Sequence, residues 1–354
     1  MAKTRSMTRE QKRFKTSEEN GSTSWSDLGD DLLFTIMMYL GVIDFVAFGG
    51  VCKYWRLFTH SNWDKFMASR QPMYMHLSAN RINKKVCFLE DFEGRKFKTS
   101  LPNSSNRTCI GLTLGYLILW GGKTRDFMLV NPITRHELHF PGCPFDISIN
   151  SALFRGILIF SHSLSGWVFV IAKFFSPIIA FSVADEQGRW KRLFSNVAAL
   201  DLHAFKEKIY QISFCGNLFE VRLDLDPTLR PLGLEDCVEP ELSRIEFLCS
   251  GQKLCVVGLD QEKEYIGLEA DVDKMKWVSP GKEKAALFLS RLECASAVIN
   301  PNTWAHPWTQ DKGCTYFHSF ERSKKEWRRC DTSMWYFPHY CLKIKAAPED
   351  VMHV

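Results

Sequence analysis

Residues 25–63 read WSDLGDDLLFTIMMYLGVIDFVAFGGVCKYWRLFTHSNW, and their hydrophobic spacing decides how the chain begins. Leu28, Leu32, Leu33, Ile36 and Leu40 recur at three- and four-residue intervals, which predicts one amphipathic helix from about Asp30 to Leu40. Ser26 or Asp27 is available as its N-cap, and Asp30 and Asp31 fall in the first turn, where the helix dipole favours acids. Gly41 ends it. A second short helix is expected over Asp44 to Phe48, stopped by Gly49 and Gly50. A third begins near Val51 and carries Trp55 and Phe58, with Trp63 and Phe66 further along. Three short helices bury little surface alone, so this unit should lean on a partner or on the domain that follows.

Beyond Pro72 the texture changes to short β-rich runs divided by Gly, Pro, Asn and Asp. The clearest are Val86 to Glu90, Gly115 to Trp120, Phe127 to Val130, Leu153 to Phe160, Trp167 to Ile171, Lys208 to Phe214, Leu218 to Leu223, Lys253 to Gly258 and Cys314 to Phe320. A loose repeat runs through them: Leu101, Phe140, Trp190, Leu232, Trp277 and Trp327 are separated by 39, 50, 42, 45 and 50 residues. That is close to the ~40 to 50 residues of a four-stranded propeller blade. The stretch HAFKEKIYQISFCGNLFEVRLD, residues 203–224, shows a strand, a Cys-Gly-Asn turn at 215–217 and a second strand. The expected fold is thus α+β: a small N-terminal three-helix module followed by an all-β domain, a degenerate β-propeller of about six blades. An irregular pair of β-sandwiches is the alternative. The expected boundaries are a disordered basic leader at 1–24, the helical module at 25–71, the β domain at 72–345 and a tail at 346–354.

Composition narrows the class. The chain has 354 residues, 45% hydrophobic and 24% charged, with a formal net charge of +5. This is ordinary for a globular protein and argues against a nucleic-acid binder, which gathers cations into a stripe interleaved with aromatics. Only the leader is basic, with Lys3, Arg5, Arg9, Lys12, Arg13 and Lys15 against Glu10, Glu18 and Glu19. A nuclear address is its other reading. No secretory apolar core opens the sequence, so a location in the cytoplasm, the nucleus or both is expected, with the 12 cysteines as free thiols. None forms a Cys-x-x-Cys pair. Gly156 to Val183 is long and apolar enough to suggest a membrane span, but His162, Gly166, Lys173 and Pro177 divide it into two or three buried strands.

Several motifs that could carry chemistry lose it on inspection. Gly121-Gly122-Lys123-Thr124 lacks the upstream glycine of a phosphate loop and precedes a strand, so it reads as a hairpin turn. His136 and His139 are one residue short of the zinc-protease spacing and would point to opposite faces of a strand. The sequons at Asn103 and Asn106 matter only in a secreted protein. Trp277, Trp304, Trp308, Trp327 and Trp335 could form a stacking or sugar-binding platform, though aromatics in a β domain are more often core. No catalytic group, cofactor site or metal site is expected.

The helical unit resembles the F-box. Leu28, Asp31, Leu32, Leu33, Ile36, Leu40, Val51, Cys52, Lys53, Trp55 and Arg56 match that motif in order and spacing. The family's Pro beside the first Leu is Gly29 here, which loses a fixed φ at the helix start. The resemblance implies that Leu28, Gly29, Leu32, Leu33, Ile36, Val51 and Trp55 form or border the surface that binds the Skp-type adaptor of an SCF ubiquitin ligase. Apolar side chains on two helix faces with one aromatic anchor suit such a hot spot. The remainder is similar to plant F-box proteins of the kelch-related class that carry domain of unknown function 295. The likeness rests on Cys109-Ile110-Gly111, Gly115-Tyr116-Leu117 and the Asn131-Pro132-Ile133-Thr134 turn. What the resemblance implies is a non-catalytic substrate receptor that reaches cullin and RING subunits through the adaptor and holds a target protein on its β domain, with no nucleic acid and no membrane involved. The alternative is a propeller enzyme or small-molecule receptor with a central pocket, its helices serving oligomerisation or regulation.

Overall fold

The computed structural model describes residues 25, 28–78, 84–92, 94–143, 145, 154–184, 189–224, 226–235, 243–250, 253–259, 265–278, 286–289, 297–299, 315–318 and 330–338. The leader, the tail, Trp304, Trp308 and Trp327 lie outside them. The chain divides into two compact units between Asn62 and Trp63.

The first unit is helical, with α1 at Asp30–Tyr39, α2 at Val42–Phe48 and most of α3 at Lys53–Ala68, whose last six residues are counted with the second unit. The expected helices are all present, displaced by one or two residues for local reasons. Leu40 is already extended at φ −73° and ψ 151°, which ends α1 one residue early. Gly41 is extended too, and its carbonyl accepts the Phe45 N–H at 2.9 Å, so α2 starts at Val42. Helix α3 starts at Lys53 rather than Val51 because Cys52 acts as its cap, its Sγ accepting the Trp55 N–H at 3.4 Å and its carbonyl the Arg56 N–H at 3.0 Å.

After the end of α3, the second unit is β in its described residues and built mainly of four-stranded antiparallel sheets, a propeller-like arrangement. Blade 1 contains β1 (Met73–Ser78), β2 (Val86–Glu90) and β3 (Lys96–Ser100). Blade 2 is β4 (Arg107–Thr113), β5 (Tyr116–Gly121), β6 (Asp126–Val130) and β7 (Glu137–Phe140). Blade 3 is β8 (Phe154–Ser161), β9 (Gly166–Lys173), β10 (Ile178–Val183) and β11 (Lys191–Phe194). The apolar stretch from Gly156 to Val183 is therefore three buried strands, and no helix among the described residues is long and apolar enough to cross a membrane. Blade 4 is β12 (Ala199–Phe205), β13 (Lys208–Ser213), β14 (Leu218–Arg222) and β15 (Thr228–Leu232). Its β13–β14 hairpin turns through the Cys-Gly-Asn segment as the sequence leads one to expect.

Blade 5 is β16 (Ser243–Ser250), β17 (Lys253–Leu259), β18 (Tyr265–Asp271) and β19 (Lys276–Val278). It is hydrogen-bonded into a seven-stranded sheet with β20 (Ala286–Leu289), β21 (Ala297–Ile299) and β22 (Thr315–His318). Here the pairing departs from the antiparallel pattern of blades 1 to 4: β16 meets β21 in parallel at Cys249 and Ala297, and β20 meets β22 in parallel. Strands of three or four residues make too few ladder bonds for side-chain alternation to impose the pairing. Cys249 and Cys255 lie in two paired strands, β16 and β17. The last described strand, β23 (Cys330–Tyr336), pairs antiparallel with β1 and completes blade 1 from the far end of the sequence. The first strands of blades 2 to 5 begin at Arg107, Phe154, Ala199 and Ser243, roughly 45 residues apart, the blade period read from the sequence.

Those first strands lie side by side, β4 beside β8, β8 beside β12 and β12 beside β16, and buried polar groups join them. The Leu158 N–H donates to Thr113 Oγ1 at 2.9 Å. Asp201 takes three donors: Arg155 Nε at 2.8 Å, its neighbour Leu202 N–H at 2.8 Å and Phe247 N–H at 2.9 Å. Both Arg155 and Asp201 are buried. Burial pushes the Asp201 carboxyl up, against the pull of Arg155 and the two N–H groups. Between the blades, aromatic and aliphatic side chains fill the space, with Phe127 packed edge-on against Phe169 and Trp190. Trp277 and Trp335 are buried, so they are core and not a binding platform.

The hairpin Gly121-Gly122-Lys123-Thr124 is a turn between β5 and β6, as expected, and it serves packing. A Cβ on Gly121 would run into Thr124, Asp126 and Arg107. Arg107 grips Asp126 with both terminal nitrogens, at 2.9 and 2.7 Å. Burial alone would raise the Asp126 carboxyl, but hydrogen bonds from Arg107, Thr124 and His139 outweigh it and hold it down at about 2.

Two outcomes are expected. Arg155→Met leaves a buried carboxylate without its cation and should cost about 3–5 kcal/mol in denaturant unfolding, whereas joining it to Asp201→Asn, which is neutral and still offers an acceptor to the Phe247 N–H, should return part of that loss. His76, buried in β1 with Tyr74 edge-on at 4.2 Å, is pushed down to about 4 by burial, with Lys96 adding to the effect. The unfolded imidazole titrates near ~6.5, so protons favour the unfolded chain; stability is complete above ~6.5 and is lost as pH falls toward about 4. Melting temperature should decline across that window, and His76→Gln should reduce the decline, the remainder coming from His203, which burial, with Arg155 adding, also pushes down to about 4.

Candidate functional site

Helices α1 and α3 carry apolar side chains that face outward as well as inward. Leu33 and Met37 of α1 and Val42, Phe45 and Phe48 of α2 are buried. Trp55 of α3 joins them, its ring 4.3 Å from that of Phe48 between centroids and its indole N–H donating to the Trp25 carbonyl at 3.2 Å. Leu28, Ile36, Leu40, Cys52 and Phe58 pack partly buried around Leu33, Phe48 and Trp55. One helical step round from this core lies a second apolar set that faces solvent. Leu32 is 57% exposed, Tyr39 83%, Val51 57% and Leu57 60%. Tyr54 sits between the last two at helical spacing, and its hydroxyl donates to the Asp30 carboxylate at the head of α1. That bond brings the start of α3 beside the start of α1.

The seven residues named from the sequence are therefore not equivalent. Leu32 and Val51 are exposed together with Gly29, while Leu28 and Ile36 are half-buried at the edge. Leu33 and Trp55 are buried inside the module, where they hold the helices together instead of offering an anchor. Tyr39, Tyr54 and Leu57 were missed. For Tyr54 and Leu57 the signal was present in the sequence as a second stripe, Val51, Tyr54 and Leu57 at three-residue intervals, offset from the one occupied by Trp55 and Phe58.

Gly29 caps α1 at φ −64° and ψ 153°, with its carbonyl accepting the Leu33 N–H at 3.0 Å. This is the φ that a proline ring imposes, and nothing lies within 4 Å of where a Cβ would stand. Glycine thus costs the module nothing in contacts; its cost is the larger freedom of the unfolded chain.

In the β unit, the Asn-Pro-x-Thr segment is a turn between β6 and β7. Asn131 Oδ1 accepts the N–H groups of Ile133 and Thr134, both at 2.9 Å, and Asn131 itself is buried. The two histidines that follow take separate partners, His136 with the Tyr116 hydroxyl at 3.1 Å and His139 with Asp126. A groove between blades 3 and 4 is lined by ion-paired groups, Lys208 and Arg222 both reaching Glu220 at 3.6 and 3.5 Å, and His162 lying 3.8 Å from Glu207.

With this geometry in view, the comparisons are specific. A family model described as KIB1-4 beta-propeller matches residues 88–333, more than half of the chain. A model of the F-box domain matches residues 25–66. No curated protein matches. Among solved structures, dihydro-heme d1 dehydrogenase NirN in complex with DHE is 12% identical with a TM-score of 0.34, over 55% of this chain and 44% of that one. BBS1N in complex with ARL6DN is 9% identical with a TM-score of 0.32, over 59% and 66%. A protein of unknown function from Bacteroides caccae is 8% identical with a TM-score of 0.26, over 59% and 93%. This chain thus spans less than half of the first of these and about two thirds of the second.

Gly29→Pro should stabilise α1 by about 0.4–1 kcal/mol, read as a roughly two- to fivefold gain in hydrogen-exchange protection of the α1 amides.

Proposed function

The chain belongs to the KIB1-4 beta-propeller family and carries an F-box domain, and we propose that it works as the substrate-recognition subunit of an SCF-type ubiquitin ligase. The observation that carries this reading is the pairing of an F-box, which implies binding to a Skp-type adaptor, with a separate β unit large enough to hold a target. The proposed adaptor surface centres on the exposed Leu32 and Val51, bordered by Leu28, Gly29 and Ile36 and extended by Tyr54 and Leu57. Leu33 and Trp55 shape it from behind. The exposure of these apolar side chains beside a buried cluster of Leu33, Phe48 and Trp55 supports the reading, since exposed apolar patches mark docking sites.

In this role the chain forms and breaks no bond itself. It raises the effective concentration of a target lysine near a conjugating enzyme brought by the cullin and RING subunits. We read the β unit as kin to the kelch-related domains of plant F-box proteins, from the Cys109-Ile110-Gly111 strand and the capped Asn131 turn. The complex is proposed to act in the cytoplasm, the nucleus or both.

The test uses the full chain and a purified Skp-type adaptor. Leu32→Asp with Val51→Asp should weaken capture by about a hundredfold or more, because a charge in an apolar hot spot costs several kcal/mol. The melting temperature should hardly move, since both positions are exposed. Capture unchanged by these substitutions would remove the adaptor assignment. Trp55→Ala is the informative contrast: it should unfold the module, at a cost of about 3–5 kcal/mol, and lose binding with it.

A further inference from the structure

Because strands alternate in direction within a blade, the turn from second to third strand returns to the rim where the first strand begins. In blades 2, 3 and 4 these turns are residues 122–125, 174–177 and 214–217, and in blade 1 the corresponding connection ends at Lys84 and Lys85. Arg155 and Asp201 stand at the same rim, near the starts of β8 and β12.

The turn of blade 3 is built in two layers. Phe174 lies half-buried with its ring over the Arg155 guanidinium, 5.3 Å from carbon to centroid, and Arg155 is held in turn by Asp201. The next residue, Phe175, is presented to solvent and is 70% exposed. Its ring stacks on Phe214 of the blade 4 turn, with centroids 4.8 Å apart and planes 18° apart. Phe214 is itself 41% exposed. Phe175 also sits at φ +60°, a backbone region that L-residues with bulky side chains avoid. Strained backbone of this kind clusters at binding and switch regions, where the surroundings hold it in place. A stack that served only the core would have buried the second ring.

The buried Asp126 and Asp201 at this rim are already taken up by Arg107 and Arg155, and the exposed charges of these turns have one sign. Among the described residues of the turns in blades 1 to 4, Lys84, Lys123 and Arg125 are exposed and cationic, Lys173 stands where β9 enters its turn, and there is no carboxylate. We propose that this rim is the docking site for an acidic segment of the target protein, whose large apolar side chain inserts against the Phe175–Phe214 stack. The cations would steer and orient the segment, and the aromatic pair would supply the anchor. The proposal rests on the reading of the β unit as target-binding and adds where and what it binds.

The probe is a phage-displayed library of random peptides, selected on the immobilised full-length chain. Enriched peptides should carry Asp or Glu flanking a Phe, Trp, Leu or Ile. Phe175→Ser with Phe214→Ser should weaken them by about tenfold or more, with the melting temperature checked in the same preparation. Lys123→Glu with Arg125→Glu, at exposed positions, should slow association and remove most of its salt dependence. Failure to enrich any peptide, enrichment without acids, or binding indifferent to both double substitutions would overturn the proposal. So would self-association of the wild type that the phenylalanine variant abolishes, since the occupant would then be a second copy of the chain. Leu32→Asp should leave peptide binding intact. Adaptor capture that fails while peptides still bind therefore counts against the ligase reading, and the reverse pattern counts against this site alone.

Discussion

Asp201 is the constraint around which the β unit is organised. A blade of four short strands is too small to be stable alone, and its neighbours must be fixed in angle as well as pressed together. Apolar packing between blades supplies most of the attraction but little direction. The carboxylate at the start of β12 supplies direction, because its oxygens are shared between a side chain of blade 3 and the backbone of blade 5. Arg155 passes the constraint on to the turn that Phe174 occupies. One buried acid thus sets three blades and the shape of a loop at the rim.

The helical unit solves a related problem differently. Its residues divide between holding it together and offering a surface, and the two sets differ by about one step round each helix. Leu33 and Leu32 are adjacent in sequence, yet one is fully buried and the other more than half exposed. The Tyr54–Asp30 bond fixes the two exposed stripes side by side without using any core residue. The exposed set can therefore be substituted without disturbing the core.

Much of this was legible in the sequence because it depends on periodicity. The three helices, the strands Val86–Glu90 and Phe127–Val130, the β13–β14 hairpin and the blade period all follow from local spacing and turn chemistry. What was not legible depends on which face of an element meets what. Trp55 was expected to be an anchor and is core, because sequence spacing shows that residues share a stripe but not which stripe faces in. Tyr54 and Leu57 were passed over for the same reason. The parallel pairings of β21 and β22, and the reach of Asp201 to Phe247 across 46 positions, join residues whose local sequence carries no mark of the contact. Gly29 was expected to loosen the helix start, and the structure places it in the conformation that proline would impose.

The pairing of β23 with β1 gives the chain an order of assembly. On the ribosome the helical module emerges first and has every residue of its core at hand. Blade 1 must wait, since its missing strand comes from residues 330–336. Until then β1 presents an open edge of unpaired N–H and C=O groups, the kind of edge that recruits foreign strands. A chain cut short before Cys330 would keep the helical module and lack the closing strand. Such a product could occupy the partner of that module while carrying an incomplete ring, so the stretch of greatest hazard in translation is the one between the two halves of a single sheet.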